Sequence, residues 1–283
     1  MLNPLVTIYI PTHNRPQMLA RALVSAVEQD YSNIEIIVVD DGSTEENFAK
    51  VAELCSNYSN VLLLRQSKAS GACAARNLAI NSARGQFITG LDDDDEFTSG
   101  RITAFVSQWF KFSQPSLLCT GYCFILRGGS AIQSGRRAMQ IDAARVLHVN
   151  DIGNQVFTRT DYLQQISGFD PVLEACQDYD VWIRLILKFG IGYRLALVNY
   201  IVHQEHDSPR ISQFDKRLRG HNQLIEKYRN VFTPEQLNSQ KFFCALYAGE
   251  KNLFRLLKLA RWRHILVLIK VLYARTMINK SSD

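Results

Sequence analysis

Short apolar runs alternate with amphipathic stretches through the first hundred residues. The β-branched run 5–10 precedes a segment in which Leu19, Leu23 and Val27 recur every four residues, the spacing of one buried helix face. Further apolar runs, separated by helical segments, come at 34–39, 61–64 and 86–91. This rhythm predicts an α/β fold with one open, Rossmann-like, mostly parallel sheet flanked by helices.

The sequence also predicts where these helices begin and end. Asn14 can cap the first helix, with Pro16 in its first turn, where proline's missing N–H costs no hydrogen bond. Ser43 and Glu46 have the spacing of a capping box for the second helix. Gly85 is predicted to end the third helix as a glycine C-cap.

The regular alternation is lost after residue 100. We predict a strand at 117–126, a loop-rich insert at about 130–150, and a helix at 178–189 with its apolar face inward. Residues from about 212 onward have a helical pattern throughout. The chain therefore divides into a first region, 1–210, and a helical C-terminal region, 211–283.

Polar clusters follow three of the predicted strands. They are Thr12-His13-Asn14, Asp40-Asp41-Gly42-Ser43 and Asp92-Asp93-Asp94-Asp95. Because ligands of such sheets bind at the carboxyl ends of the strands, the clusters predict a single nucleotide-binding crevice. Adjacent carboxylates raise one another's pKa unless a positive group arrives, and hard cations such as Mg²⁺ or Mn²⁺ prefer carboxylate oxygens. A solvated turn, with Asp95 capping a helix, is the alternative for the acidic run.

Two further candidates are a cation and a carboxylate. Arg76 lies in a helix of small residues that can approach the sheet closely, although a surface arginine explains it equally well. Asp178 and Asp180 open a predicted helix, whose dipole is reason enough for one of them. A carboxylate that stays ionised at this position also meets the requirement for a general base acting on a hydroxyl.

Composition narrows the class of protein. With 47% hydrophobic and 21% charged residues among 283, the chain is globular rather than disordered, and a net charge of +5 is too small to indicate nucleic acid. The N-terminus lacks the features of a signal peptide, and no apolar stretch reaches the length of a membrane span. The six cysteines are scattered, with a single C-x3-C pair at Cys119 and Cys123, so we expect reduced thiols rather than a zinc site.

Six segments in order resemble the inverting glycosyltransferase family 2, which has the GT-A fold. They are Thr7-Ile8-Tyr9-Ile10-Pro11-Thr12-His13-Asn14-Arg15, Ile36 to Ser43, Ala74-Ala75-Arg76-Asn77, Ala83 to Asp95, Gly168-Phe169-Asp170, and Gln177 to Arg184. The resemblance spans roughly residues 5–210. It implies a catalytic domain there, with a nucleotide-sugar half at about 1–100 and an acceptor half at about 101–210.

The resemblance also implies a role for individual residues. Asp178 would be the catalytic base, and Asp92-x-Asp94 the D-x-D element, with Asp94, Asp92 and His206 at a Mn²⁺ or Mg²⁺ ion. His203 is the alternative to His206 as the histidine near the metal. The residues expected to bind the UDP-sugar donor are Pro11, Thr12, His13, Asn14, Arg15, Asp41, Arg76, Asp92 and Asp93. The extra aspartate in the run leaves open which carboxylate binds the metal.

The C-terminal region carries eight Lys or Arg residues and no acid between Lys251 and Lys280, interleaved with leucines and aromatics. This pattern favours a helix on an anionic membrane surface, although a helix packed on the catalytic domain is the alternative. Among family members, the arrangement is similar to enzymes of O-antigen or capsule assembly. That similarity implies a peripheral enzyme at the cytoplasmic face of the bacterial inner membrane.

For such an enzyme we expect transfer of glucose or galactose from the UDP-sugar to GlcNAc-diphospho-undecaprenol in a β1,3 linkage. Two other interpretations of the function remain. A nucleotidyltransferase would also use a metal and a nucleotide, but the segment 11–15 lacks the glycine of a phosphate loop. A non-enzymatic, metal-binding module at the membrane surface would leave Asp178 unexplained.

Overall fold

A computed structural model describes residues 3–204, 214–250 and 252–260 of the chain. His206 and most of the basic segment 251–280 lie outside this part. The helices are α1 Pro16–Val27, α2 Glu45–Ser56, α3 Ala72–Ser82, α4 Arg101–Trp109, α5 Ala143–Val146, α6 Thr160–Gln165, α7 Gln177–Phe189, α8 Phe214–Lys227, α9 Pro234–Tyr247 and α10 Leu253–Leu259. The strands are β1 Val6–Thr12, β2 Ile34–Asp40, β3 Val61–Arg65, β4 Phe87–Gly90, β5 Glu96–Phe97, β6 Leu118–Ile125, β7 Ala131–Ser134, β8 Met139–Ile141, β9 Phe157–Arg159 and β10 Gly192–His203.

The described strands form one sheet in the order β3-β2-β1-β4-β9-β6-β10-β5, with β7 paired to β6 and β8 to β10. The first four strands are parallel, as the alternation of strands and helices predicts. Beyond β4 most pairs are antiparallel, with β6 and β10 the parallel exception. The sheet is therefore mixed in its second half, where β6 and β7 form a hairpin and the other neighbouring strands are far apart in the chain.

The central strands are apolar because their side chains are buried on both faces of the sheet. Every residue of β2 is buried, as expected for a parallel strand covered on both faces. Helix α1 buries Leu19 and Leu23 against the sheet, as their four-residue spacing predicts. On the other side of the sheet's middle, Phe157 stacks on Phe87 and Phe105 with ring centroids 5.0 Å apart, so the core extends across the first antiparallel pair.

Three of the predicted helix ends are wrong. The residue before α1 is Arg15, without a side-chain cap, and Asn14 instead accepts a hydrogen bond from the backbone N–H of Thr44. Helix α2 is capped by Thr44, one residue later than predicted. Helix α3 ends at Ser82, and the Gly85 N–H donates to Thr7 and Glu35. At Asn14 and Gly85, a partner distant in sequence binds the group that the local capping rule assigns to the helix end.

The insert predicted at 130–150 is more regular than expected, since it contains β7, β8 and α5. Its weak pattern follows from the exposure of all four residues of β7. The helix predicted at 178–189 is confirmed as α7. The helical pattern after 212 is confirmed over the part of that region that the structure describes.

Contacts divide the described chain into two units. The first comprises 3–146, 150–172 and 177–204, and contains the sheet. The second comprises 147–149, 173–176, 214–250 and 252–260, and its α9 and α10 share a small core around Phe242 and Leu256. None of the helices described in either unit is long and apolar enough to cross a membrane. All six cysteines are free thiols.

Candidate active site

Strands β1, β2 and β4 end side by side, and this brings the polar clusters of the sequence to one edge of the sheet. Thr12 pairs with Asp40 in register, and Leu91 N–H donates to the carbonyl of Tyr9. The Thr12 hydroxyl donates to Asp93 Oδ2 at 2.8 Å. The end of the first strand is thus bonded directly to the acidic run.

The four aspartates alternate in exposure. The side chains of Asp92 and Asp94 are 22% and 19% exposed, whereas Asp93 and Asp95 are buried. Burial raises the pKa of Asp93 to about 6. Burial also raises the pKa of Asp95, and the charges of Asp92 and Asp94 raise it further. The spacing of the two accessible carboxylates is that of a D-x-D element.

Asp92 is enclosed by three donors. Its Oδ1 accepts from Arg76 Nη2 and from Gln155 Nε2, both at 3.0 Å, and its Oδ2 accepts from Asn154 Nδ2 at 3.0 Å. The sequence predicted Arg76 as a cation at this site. It gave no signal for Asn154 and Gln155, which lie more than sixty residues away in a loop without a pattern of its own.

Arg15 lies beside the next two aspartates. Its Nη1 is 3.3 Å from Asp93 Oδ1 and 3.6 Å from Asp94 Oδ2. Arg21, from α1, donates to the backbone carbonyl of Asp94 at 2.7 Å. Together with Arg76 beside Asp92, these two arginines offset the repulsion within the acidic run.

Asp95 does not cap a helix, because β5 follows it directly. Its Oδ1 accepts from the backbone N–H of His203 at 3.1 Å, and Tyr200 also bonds to its carboxylate. The His203 ring lies 2.6 Å from Glu96 Oε1 and is buried. Asp95 therefore joins the acidic run to β10, and His203 belongs to the same structural contact. His206, its competitor for the metal, lies outside the described residues.

The loops after β1 and β2 support each other. The His13 ring donates through Nδ1 to the carbonyl of Asp41 at 2.7 Å. The two carboxylate oxygens of Asp41 accept from the backbone N–H groups of Ser70 and Gly71, at 2.7 and 2.8 Å. Asp41 thereby holds the segment that leads into α3. Pro11, His13 and Asn14 are partly or fully exposed beside it.

The two acids of α7 have different surroundings. Asp180 is fully buried and pairs with Arg184 at 2.6 Å, and Arg184 also donates to the carbonyls of Ile166 and Gly168. Asp178 is half-buried in the first turn. Burial raises its pKa, while the N–H of Tyr179 and the charge of Arg76 lower it. Asp180 therefore has a structural role, whereas Asp178 lies where the charges of Arg76 and Asp92 act on its carboxylate.

The accessible carboxylates fit a divalent cation. Mg²⁺ and Mn²⁺ are held by one or two protein carboxylates together with substrate phosphates, and Asp92 and Asp94 offer two hard oxygen donors at the strand end. Within residues 3–204, 214–250 and 252–260, no three His, Cys, Asp or Glu side chains are grouped as metal ligands. A metal at this place would therefore take most of its ligands from the diphosphate and water.

A family model described as Glycosyl transferase family 2 matches residues 7–122, which include β1 to β4 and the acidic run. The putative colanic acid biosynthesis glycosyl transferase WcaA of Escherichia coli K12 is 32% identical over 273 residues, 95% of this chain and 94% of that protein. The chain belongs to glycosyltransferase family 2. It is a glycosyltransferase, and this excludes the two alternative functions, a nucleotidyltransferase and a non-enzymatic metal-binding module.

Other relatives and solved structures agree with this assignment. The chondroitin synthase of E. coli is 27% identical over 231 residues, although the chain spans only 32% of that protein's length. TarS of S. aureus, residues 1–349, has a TM-score of 0.68 at 16% identity, covering 88% of this chain and 73% of that one. A mannosyltransferase of Pyrobaculum calidifontis, solved with GDP-Man and Mn²⁺, has a TM-score of 0.61 at 16% identity, covering 96% of this chain and 81% of that one. These two likenesses concern the fold, which is the α/β GT-A fold.

Proposed function

We propose that the chain is an inverting hexosyltransferase that uses a UDP-sugar, with glucose or galactose as the hexose. The acceptor is a lipid-linked sugar such as GlcNAc-diphospho-undecaprenol, and the product is a β linkage, with β1,3 as the expected position. The observation that carries the proposal is the ion pair of Arg76 with Asp92 at 3.0 Å, because the charges of both residues also act on the carboxylate of Asp178, the candidate base. WcaA and chondroitin synthase, both named for polysaccharides, support the substrate class.

In this proposal the strand ends hold the donor. The loop residues Pro11, Thr12, His13, Asn14 and Asp41 surround the uracil and ribose, and Arg15 and Arg76 supply positive charge. A divalent cation, held by Asp94 with Asp92, would neutralise the charge that develops on the leaving diphosphate. TarS has also been solved with UDP-GlcNAc, at a TM-score of 0.63 and 18% identity over 88% of this chain and 68% of that one. That complex supports a UDP-sugar as the first donor to test.

Asp178 performs the proton transfer. Its carboxylate takes the proton of the acceptor hydroxyl while the hydroxyl oxygen bonds to the anomeric carbon and the bond from that carbon to the diphosphate oxygen breaks. UDP leaves on the opposite face, so the configuration at the anomeric carbon inverts. The raised pKa of Asp178 suits this role, because it makes the carboxylate a stronger base than an ordinary exposed aspartate.

Calorimetric titration with UDP tests the donor site. UDP should bind more tightly with Mn²⁺ than without it, and Asp94→Asn should remove that difference. Asp161→Asn is the control, because Asp161 lies on α6, has a side chain that is 45% exposed, and pairs with Arg159 rather than with the acidic run. Equal affinity with and without Mn²⁺ in the unmodified protein would contradict the metal site. Hydrolysis of a panel of UDP-sugars then identifies the hexose.

We further propose that the C-terminal region binds an anionic membrane surface, which places the enzyme at the cytoplasmic face of the bacterial inner membrane. In the described part of that region, Leu253, Phe254 and Leu257 of α10 are 43%, 77% and 50% exposed. Arg255 and Lys258 lie on the same short helix. Exposed apolar side chains next to basic ones are the combination that such surfaces bind.

Co-sedimentation with vesicles that contain anionic phospholipid tests this surface. Phe254→Ser should weaken binding, and Val172→Ser should not, because Val172 is an equally exposed side chain (75%) on the other unit. Neither change removes a core contact, so both variants should keep the melting temperature of the parent. Unchanged binding of Phe254→Ser, with the parent bound, would count against α10 as the membrane contact.

A further inference from the structure

The loop 150–155 reaches the acidic run and determines what Asp92 can still bind. A carboxylate oxygen has two lone pairs. Both pairs of Asp92 Oδ1 are used, by Arg76 and Gln155, and one pair of Oδ2 is used by Asn154. One acceptor position therefore remains on Oδ2. Asp92 is restricted to a single, monodentate bond to a ligand.

The loop itself is held at several points within the first unit. Asn150 Oδ1 accepts from the N–H groups of Ile152 and Gly153. The Tyr122 hydroxyl donates to the carbonyl of Ile152 and accepts from the N–H of Asn154. Gly153 has φ +96°, and a Cβ there would lie 2.1 Å from the Tyr122 oxygen. The close approach requires glycine and leaves the loop little freedom.

The same loop is bonded to α7, the helix that carries Asp178. Trp182 lies one helical turn after Asp178, and its indole Nε1 donates to the carbonyl of Gly153 at 2.8 Å. Trp182 is itself buried. The loop therefore connects the candidate base helix to the candidate donor carboxylate through two successive hydrogen bonds, each between buried or partly buried groups.

Gln155 uses both ends of its side chain in this connection. It is 1% exposed, its Nε2 donates to Asp92, and its Oε1 accepts from the Tyr9 hydroxyl at 3.3 Å. It passes over Gly90, where a Cβ would lie 2.1 Å from Gln155 Oε1. A buried amide with each atom matched to a partner has one orientation, because rotation by 180° would place an acceptor against the carboxylate.

We propose that Gln155, assisted by Asn154, is a positioning residue for the transfer reaction. It fixes the Asp92 carboxylate so that one Oδ2 lone pair faces the ligand, at a set distance from α7. In the proposed donor site the one remaining bond of Asp92 goes to the cation that it shares with Asp94, and Asp92 then has no acceptor position left for a donor hydroxyl. This inference rests on the proposed function, because Gln155 can act in the transfer reaction only through Asp92 and the donor site that Asp92 is proposed to form.

Gln155→Met tests the inference, because methionine keeps the length and shape of the side chain and removes the donor. We expect kcat for UDP release from the preferred UDP-sugar with Mn²⁺ to fall roughly 10- to 100-fold, the range for a lost hydrogen bond to a charged group. KM for the donor should change little, because the remaining donor contacts are intact. Gln164→Met is the control, since Gln164 is an exposed glutamine on α6 whose side chain donates to the backbone carbonyl of Ile80, away from the acidic run. It should keep kcat and KM.

A double-mutant cycle with Asp92→Asn distinguishes positioning from general destabilisation. If Gln155 acts through Asp92, Gln155→Met should cause little further loss of kcat in the Asp92→Asn background. An equal loss in both backgrounds, or an unchanged kcat for Gln155→Met alone, would overturn the inference while leaving the donor site standing. If Asp92→Asn and Asp94→Asn both keep full turnover, the proposed donor site itself fails. A radiolabelled donor keeps the residual turnover of the variants measurable.

Discussion

Replacing Asp178 by asparagine removes the candidate base with almost no change of shape. The side chain is half-buried in the first turn of α7, and the N–H of Tyr179 is among its hydrogen-bond donors. The carboxamide oxygen can accept the same bond, so the fold and the donor site should persist. What disappears is a group that can take a proton from the acceptor hydroxyl.

The expected loss follows from that role. A positioned general base contributes about 10²- to 10⁴-fold to a rate, which corresponds to roughly 3 to 5 kcal/mol of activation free energy. We therefore expect kcat of Asp178→Asn to fall by that factor. The affinity for UDP with Mn²⁺ should change little, because Asp178 acts on the acceptor side of the reaction.

The pH dependence gives a second measure of the same residue. Burial raises the pKa of Asp178 above its ordinary value, and the base works only when ionised. Activity should therefore fall as the pH drops through this raised pKa, which lies above the value of about 3.9 for a free aspartate. Since Arg76 lowers the pKa of Asp178, Arg76→Gln should move this acidic limb to higher pH. Arg84→Gln, at an exposed arginine paired with Glu35, should leave it in place.

The assay measures UDP release with donor and acceptor, across pH, beside calorimetric binding of UDP. Near wild-type turnover in Asp178→Asn would refute the role of Asp178 as base. So would an acidic limb that persists unchanged in that variant. A loss of UDP binding equal to the loss of kcat would show instead that Asp178 belongs to the donor site.

Three other substitutions test the structure around the site. Arg184→Met should destabilise the fold by about 3 to 5 kcal/mol in urea denaturation, because it breaks the ion pair that Arg184 makes with the fully buried Asp180; unchanged stability would contradict the assignment of Asp180 as structural. Gly90→Ala should lower kcat by displacing Gln155, whose Oε1 would lie 2.1 Å from the new Cβ, and an unchanged kcat would mean that the loop adjusts freely. Thr233→Ala removes the capping box of α9 and should lower stability by about 1 kcal/mol with no effect on turnover; a loss of turnover at full stability would contradict this.

Much of the fold was already determined by local sequence. The apolar runs and the four-residue spacing of Leu19 and Leu23 predicted the first four strands and α1, because burial of one face imposes its period on the chain. The position of the acidic run at the end of β4 followed from the same pattern. Arg76 and Asp178 were candidates from their positions in predicted helices and again from the resemblance to the family, and in the structure Arg76 pairs with Asp92 while the charges of both act on Asp178.

Only the tertiary structure decided how the members of each polar cluster differ. Four identical aspartates in a row carry no local signal for exposure, yet β10 and Arg15 enclose two of them and leave Asp92 and Asp94 accessible. The partners of Asp92 in the loop 150–155 come from more than sixty residues away, and hydrogen bonds over such separations leave no period in the sequence. The same reason explains the helix caps, where Asn14 bonds across to Thr44 rather than to its own helix. The sequence thus determined the layers and the kind of chemistry at their edge, and the packing of distant segments determined which atoms face the ligand.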